Sequence, residues 1–230
     1  MTILYEVHDN LYVNLTNKCP CSCTFCLRQT RDHMENSGVL WLEREPSYEE
    51  VIAEFSKFDL NKYKEVVFCG FGEPTERIDV LLKVARYVKD TFNKPTRINT
   101  NGLGNLVCGR DITPELKGLI DTVSISLNTP NKERYHELVR SRFGDISYDA
   151  MLDFAKEAVK YVPNVVMTTV ETTITHEEEK EVRFFADQKA VPVHCIDATI
   201  AEIEFSVGRK AGVIGICDEG FAKKLTELIG

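Results

Sequence analysis

"LYVNLTNKCPCSCTFCLR", residues 11–28, is an apolar, β-rich run that passes directly into a loop with cysteines at 19, 21, 23 and 26. Two questions follow: what sheet does the strand belong to, and what do the thiols hold?

Further runs of the same kind recur downstream: "EVVFCG" (65–70), "TRINTNG" (96–102), "DTVSISLN" (121–128), "NVVMTTVE" (164–171) and "VPVHCID" (191–197). They are short and mostly unalternating, as expected of strands buried on both faces of a parallel sheet. Helical patterns separate them. Ser47 with Glu50 forms a capping box ahead of Val51, Ile52, Phe55 and Phe58. Ile78, Leu81, Leu82, Ala85 and Phe92 share one helical face, and Thr113-Pro114 reads as a helix start. Ser147 opens a segment with an apolar stripe from Met151 to Val159, and Thr175 with Glu178 repeats the capping box. Six strand–helix repeats favour a parallel sheet with right-handed crossovers, either open and doubly wound or an incomplete barrel. The tail differs: "AEIEFSV" (201–207) alternates, "VIGIC" (213–217) is continuously apolar, and a last amphipathic helix carries Phe221, Leu225 and Leu228.

At 230 residues and 43% hydrophobic content the chain can bury a large core as one domain. Its formal charge of −8 argues against non-specific binding to nucleic acid or to an anionic membrane. No basic, apolar and small-residue leader pattern opens the sequence and no run approaches a membrane span, so the expectation is a cytoplasmic protein. Eight cysteines in such a protein point away from a disulfide scaffold, toward metal or redox chemistry.

Structural zinc commonly takes two Cys-x2-Cys pairs, and Cys23 with Cys26 has no second pair downstream. Cys69 and Cys195 sit in apolar strands, where free cysteine is usually a small buried side chain. The spacing Cys19-x3-Cys23-x2-Cys26 suits three thiolates around one cubane iron–sulfur cluster, leaving its fourth iron without a protein ligand. The loop follows the first strand, at the carboxyl end of the sheet, where α/β proteins place their chemistry.

The motif Cys19-x3-Cys23-x-Phe25-Cys26 resembles the signature of radical S-adenosylmethionine enzymes, with the aromatic Phe25 just before the last cysteine. The resemblance implies a partial (β/α)6 TIM-like barrel over residues 1–198, with a C-terminal extension (199–230) of hairpin-like strands and a helix packed on it. It implies a [4Fe–4S] cluster on Cys19, Cys23 and Cys26, and S-adenosylmethionine held at successive strand ends. "CGFGEPT" (69–75) resembles the glycine-glycine-glutamate motif. Gly70 and Gly72 would allow close backbone approach, and Glu73 would accept a hydrogen bond from the methionyl ammonium. "INTNG" (98–102) resembles the ribose-contacting segment, through Asn99 and Asn101. "VSISLN" (123–128) would turn Ser124 and Ser126 toward the methionyl carboxylate, and Arg140 matches a carboxylate clamp.

Longer stretches, among them "VVFCGFGEPTERIDVLL" and "GRDITPELKGLIDTVSISLNTP", look like the TatD-associated (TatD-linked) radical S-adenosylmethionine proteins. The residue Cys21 departs from the signature, so taking Cys19 as first ligand rests on the family spacing. The resemblance implies reductive cleavage of S-adenosylmethionine to methionine and a 5′-deoxyadenosyl radical, which takes a hydrogen atom from a small or nucleoside-like substrate. It also implies a reductant such as flavodoxin or ferredoxin and a functional link to a TatD-type hydrolase. A protein or peptide substrate is the alternative, and a non-catalytic electron-transfer protein the second.

Overall fold

The six strand runs all form strands, and two further strands join them. The structure, a computed structural model, describes residues 1–35, 37–170, 173–188, 193–195 and 213–217. Its strands are β1 (Leu4–Val7), β2 (Asn10–Val13), β3 (Val66–Phe68), β4 (Thr96–Thr100), β5 (Thr122–Ser126), β6 (Asn164–Val170), β7 (Val193–Cys195) and β8 (Val213–Cys217). They form one sheet in the order β1-β2-β3-β4-β5-β6-β8-β7. Strands β2 to β6 pair in parallel, each with the next, which is the core of a partial barrel.

Two sheet edges depart from the sequence reading. At the start, β1 pairs antiparallel with β2 through a two-residue turn in which His8 takes φ 49°. That φ is unusual for a residue other than glycine, so the turn lacks the glycine signal that would have announced it. At the far end, β7 runs in the same direction as β6 but does not pair with it. The apolar "VIGIC" run forms β8, which lies antiparallel to both and between them. Residues 201–207 and the C-terminal helix lie outside the described residues.

Between the strands stand α1 (Tyr48–Glu54), α2 (Ile78–Phe92), α3 (Gly104–Cys108), α4 (Lys132–Val139), α5 (Ser147–Ala158) and α6 (His176–Gln188). The capping boxes at Ser47–Glu50 and Thr175–Glu178 both form. Thr113-Pro114 starts only a single 3-10 turn, Thr113–Leu116, ended by extended backbone at Lys117. The sequence reading missed α4, whose Asn131 side chain caps the Arg134 N–H.

Among the strands whose burial is described only β3 is buried at every position; β4, β5 and β6 alternate. On one face Ile98, Val123 and Ile125 join Leu81, Val84 and Ala85 of α2 and Met151, Phe154 and Ala155 of α5 in the main core. Each such large side chain, removed from water, contributes about 1.5–3 kcal/mol. On the other face Arg97, Asn99, Ser124 and Ser126 are half-buried. Helices cover a partial barrel only on the outside, which is why these strands alternate instead of reading as continuous apolar runs.

Candidate functional site

The cysteine loop leaves β2 and is fastened on three sides. The Asn14 amide donates to the carbonyls of Thr2 (3.2 Å) and Leu40 (2.8 Å). The Asn17 side chain pairs with the Leu42 backbone, donating to its carbonyl at 2.7 Å and accepting from its N–H at 3.0 Å. At the last turn of α4 and just past it, Thr24 N–H donates to Leu138 O (2.8 Å), Ser22 N–H to Val139 O (3.1 Å), and Arg142 N–H to Pro20 O (2.8 Å). The Arg28 guanidinium then ties the loop together from within, reaching the carbonyls of Asn17, Cys21 and Phe71 at 3.2–3.4 Å. A loop pinned this way presents its thiols in a fixed region of space, as a cofactor site requires.

Cys19, Cys23, Cys26 and Phe25 are half-buried, while Cys21 is 3% exposed. The Cys21 thiol bonds both Cys19 and Cys23; these contacts, with burial, push its pKa well up. The hydrogen bond from Cys21 holds the Cys19 thiol below its ordinary value, against the opposing effect of burial. Burial pushes Cys26 up, partly countered by the Arg28 backbone. The Asn101 amide stands 3.9 Å from Cys19 Sγ and 3.6 Å from Cys21 Sγ. In this arrangement the thiols bond one another, and no three His, Cys, Asp or Glu side chains among the described residues converge on a single ion. Soft sulfur donors within eight positions, one held toward thiolate and within reach of an amide donor, nonetheless suit an iron–sulfur cluster.

Glu73 is the hub of the neighbouring strand ends. It is 4% exposed, and its Oε1 accepts from Thr75 N–H (3.2 Å), Thr75 Oγ1 (2.8 Å) and Thr100 Oγ1 (2.7 Å). Its Oε2 accepts from Asn101 N–H at 2.8 Å and keeps room for a second donor. Burial raises its pKa, while these hydrogen bonds pull the other way. Gly70 and Gly72 make this junction possible. An ideal Cβ would fall 2.2 Å from Asn14 Oδ1 at Gly70 and 2.3 Å from Thr16 O at Gly72. The close approach they allow here is to the chain's own β2 end and cysteine loop.

The remaining expected residues divide into two groups. Asn99, Ser124 and Ser126 line the uncovered face of the sheet, with Asn99 opposite Ser124 in register. Asn99 donates to the Cys69 thiol, whose pKa burial pushes up to about 11, and Asn99 Oδ1 is buried without a partner. Arg140 closes α4 in the left-handed region at φ 49°. Its carbonyl accepts from Ser22 N–H at 3.2 Å, but its side chain is exposed and donates to Glu137 O at 3.2 Å.

Sequence reasoning missed Thr75, Thr100 and Arg28, ordinary polar residues that only the fold brings together. It also missed Tyr135, buried beneath the loop, whose pKa is raised by burial and by the nearby Cys21 and Cys23 and whose hydroxyl has no partner.

A partial barrel with a thiol-bearing loop at its first parallel strand end defines a class of iron–sulfur enzyme core. The model of the radical SAM superfamily matches residues 13–187, and the chain belongs to that superfamily. Its cofactors are accordingly a [4Fe–4S] cluster and S-adenosylmethionine, and it is an enzyme of that group. Among curated proteins it is 28% identical over 152 residues to a probable GTP 3′,8-cyclase of Methanocaldococcus jannaschii, covering 65% of this chain and 45% of the relative. It is 25% identical over 191 residues to a probable dual-specificity RNA methyltransferase RlmN 1 of Protochlamydia amoebophila, covering 77% and 49%. The chain thus spans less than half the length of these relatives. A solved structure of TYW1 with a lysine-pyruvate adduct bound superposes with a TM-score of 0.47 at 15% identity, over 91% of this chain and 80% of that one.

Proposed function

We propose that Cys19, Cys23 and Cys26 hold the cluster and that S-adenosylmethionine lies across the ends of β3, β4 and β5, against Phe25, Gly70, Gly72, Glu73, Asn99, Asn101, Ser124 and Ser126. The observation that carries this reading is the continuous contact from cluster loop to strand ends. Glu73 grips Thr100 and Asn101, and the Asn101 amide reaches the Cys19 sulfur. When bound, the reduced cluster and S-adenosylmethionine together supply a 5′-deoxyadenosyl radical that takes a hydrogen atom from substrate. The chain's residues fix the geometry: Glu73 Oε2 offers its remaining acceptor site to an ammonium group, and the Ser124 and Ser126 hydroxyls can donate to a carboxylate. Arg140 joins as a clamp by turning its guanidinium away from the Glu137 carbonyl.

For the substrate we favour a small nucleotide or nucleoside-like molecule. The two relatives named above are described as acting on GTP and on RNA, and the polar uncovered sheet face suits such a ligand. A peptide substrate is the second reading. A reductant such as flavodoxin or ferredoxin, a cytoplasmic location and a link to a TatD-type hydrolase belong to the same proposal. Among the described residues no helix is long and apolar enough to cross a membrane. The test is isotopic. Deuterated nucleotides, nucleosides and peptides are incubated with loaded, reduced enzyme, and 5′-deoxyadenosine is analysed by mass spectrometry. Deuterium arriving from a nucleotide or nucleoside supports the reading, and deuterium arriving only from a peptide overturns it.

A further inference from the structure

Arg97 lies on β4 two residues before Asn99 and on the same uncovered face, about 7 Å farther from the strand end. It therefore stands deeper in the partial barrel than the residues assigned to S-adenosylmethionine, on their side away from the cysteines. In register it faces Val67 of β3 and Thr122 of β5. Tyr12 lies on the same rung through its pairing with Val67. The guanidinium is only partly engaged. Its Nη2 meets Glu65 Oε1 at 2.8 Å, the two side chains being 26% and 22% exposed, while its Nε is buried with no partner. Tyr12 and the Cys69 thiol stand close enough to feel its charge.

A buried N–H without an acceptor is destabilising, because the water it gave up is not replaced. Nothing on the covered face needs Arg97: the Ile98 and Val123 side of these strands is packed without it. An arginine held at one corner by a carboxylate, with a donor left unspent, is pre-organised for an oxyanion, because its planar fork matches carboxylate and phosphate.

We propose that Arg97 forms the anion-binding floor of the substrate site, receiving a phosphate or carboxylate of the substrate while Glu65 holds the guanidinium in place. This rests on the reading of the uncovered face as the cofactor and substrate chamber, and it narrows what that reading leaves open: the substrate is anionic. The direction follows from depth, since a group docked on Arg97 leaves the rest of the molecule pointing toward the strand ends.

The test is calorimetric titration of the anaerobically loaded protein, with S-adenosylmethionine present, using two matched pairs: GMP against guanosine, and orotate against uracil. The first pair reads phosphate and the second carboxylate. In the wild type at least one anion should bind tenfold or more tighter than its neutral twin, and Arg97→Gln should abolish that preference. No preference in either wild-type pair, or a preference that survives Arg97→Gln, overturns the proposal. Should Arg97→Gln fail to fold, Arg97→Lys takes its place: keeping the charge but losing the planar fork should cut the anion preference several-fold, and an undiminished preference overturns it. Wild-type cleavage of S-adenosylmethionine separates the two levels of failure. A protein that forms 5′-deoxyadenosine but shows no anion preference loses only the Arg97 floor, whereas one with a full cluster that forms none loses the parent reading.

Discussion

On β4 and β5 the residues turned toward the helices, Thr96, Ile98, Thr100, Val123 and Ile125, are at most 3% exposed. Their immediate neighbours Arg97, Asn99, Ser124 and Ser126 are half-buried and polar. One alternating strand thus serves two environments. The helix side is close-packed and carries stability, while the uncovered side keeps polar groups unspent, among them Arg97 Nε and Asn99 Oδ1. The strand-end rim lies between these extremes, since Glu73 is buried and already accepts four hydrogen bonds while its Oε2 keeps capacity for one more. Function here falls where satisfied packing stops, and stability and chemistry should therefore respond to different residues.

The largest separation should come from the cysteines. Cys19→Ser, Cys23→Ser and Cys26→Ser should each abolish cluster absorbance and bound iron, while Cys21→Ser should keep both. Loss of the cluster in Cys21→Ser with retention in Cys19→Ser would reverse the ligand assignment. Next in size is the contrast between faces. Phe154→Ala, on the helix side, should cost about 3–5 kcal/mol in chemical denaturation. Ser126→Ala on the uncovered side should stay within about 0.5 kcal/mol. Equal costs would break the comparison between faces.

Gly72→Ala probes the rim. Its Cβ would fall 2.3 Å from Thr16 O and 2.6 Å from Lys18 O, both backbone atoms that cannot swing aside. A loss of about 1–3 kcal/mol is expected, with reduced iron uptake because the cysteine loop is displaced. A variant as stable and as well loaded as the wild type would contradict the close approach.

The smallest effect concerns Glu178, far from the thiols. Burial acts to raise its pKa, but bonds from the Thr175 N–H at 2.7 Å and from the Thr129 hydroxyl at 2.7 Å, with the Thr175 side chain and Arg134 nearby, leave it below the ordinary value. A depressed carboxyl pKa stabilises the fold above the unfolded value of about 4.3 and ceases to do so as pH falls through the folded value. Glu178→Gln should therefore cost about 1 kcal/mol near neutrality, with the difference shrinking toward pH ~3. A difference that grows in acid would have the wrong sign.

Much of this was legible in the sequence because it depends on local pattern. The six strand runs, both capping boxes and the Cys19–Cys26 spacing all lie within short windows. What was not legible depends on distant pairing. The His8 turn hides β1 because it lacks glycine, and the insertion of β8 between β6 and β7 is a matter of tertiary pairing alone. The polar alternation of "TRINT" and "TVSIS" was present in the letters, but it acquires meaning only once the helices among the described residues are seen to pack on the other face. The Glu73 hub joins residues as far apart as 73 and 101, and each of its threonines is unremarkable in isolation.

The most direct test of the central claim is anaerobic reconstitution with iron and sulfide, followed by dithionite and S-adenosylmethionine. The account predicts about four irons per chain, as one [4Fe–4S] cluster contains, together with methionine and 5′-deoxyadenosine that vanish in Cys23→Ser. A protein that carries the full cluster yet leaves S-adenosylmethionine intact would contradict it.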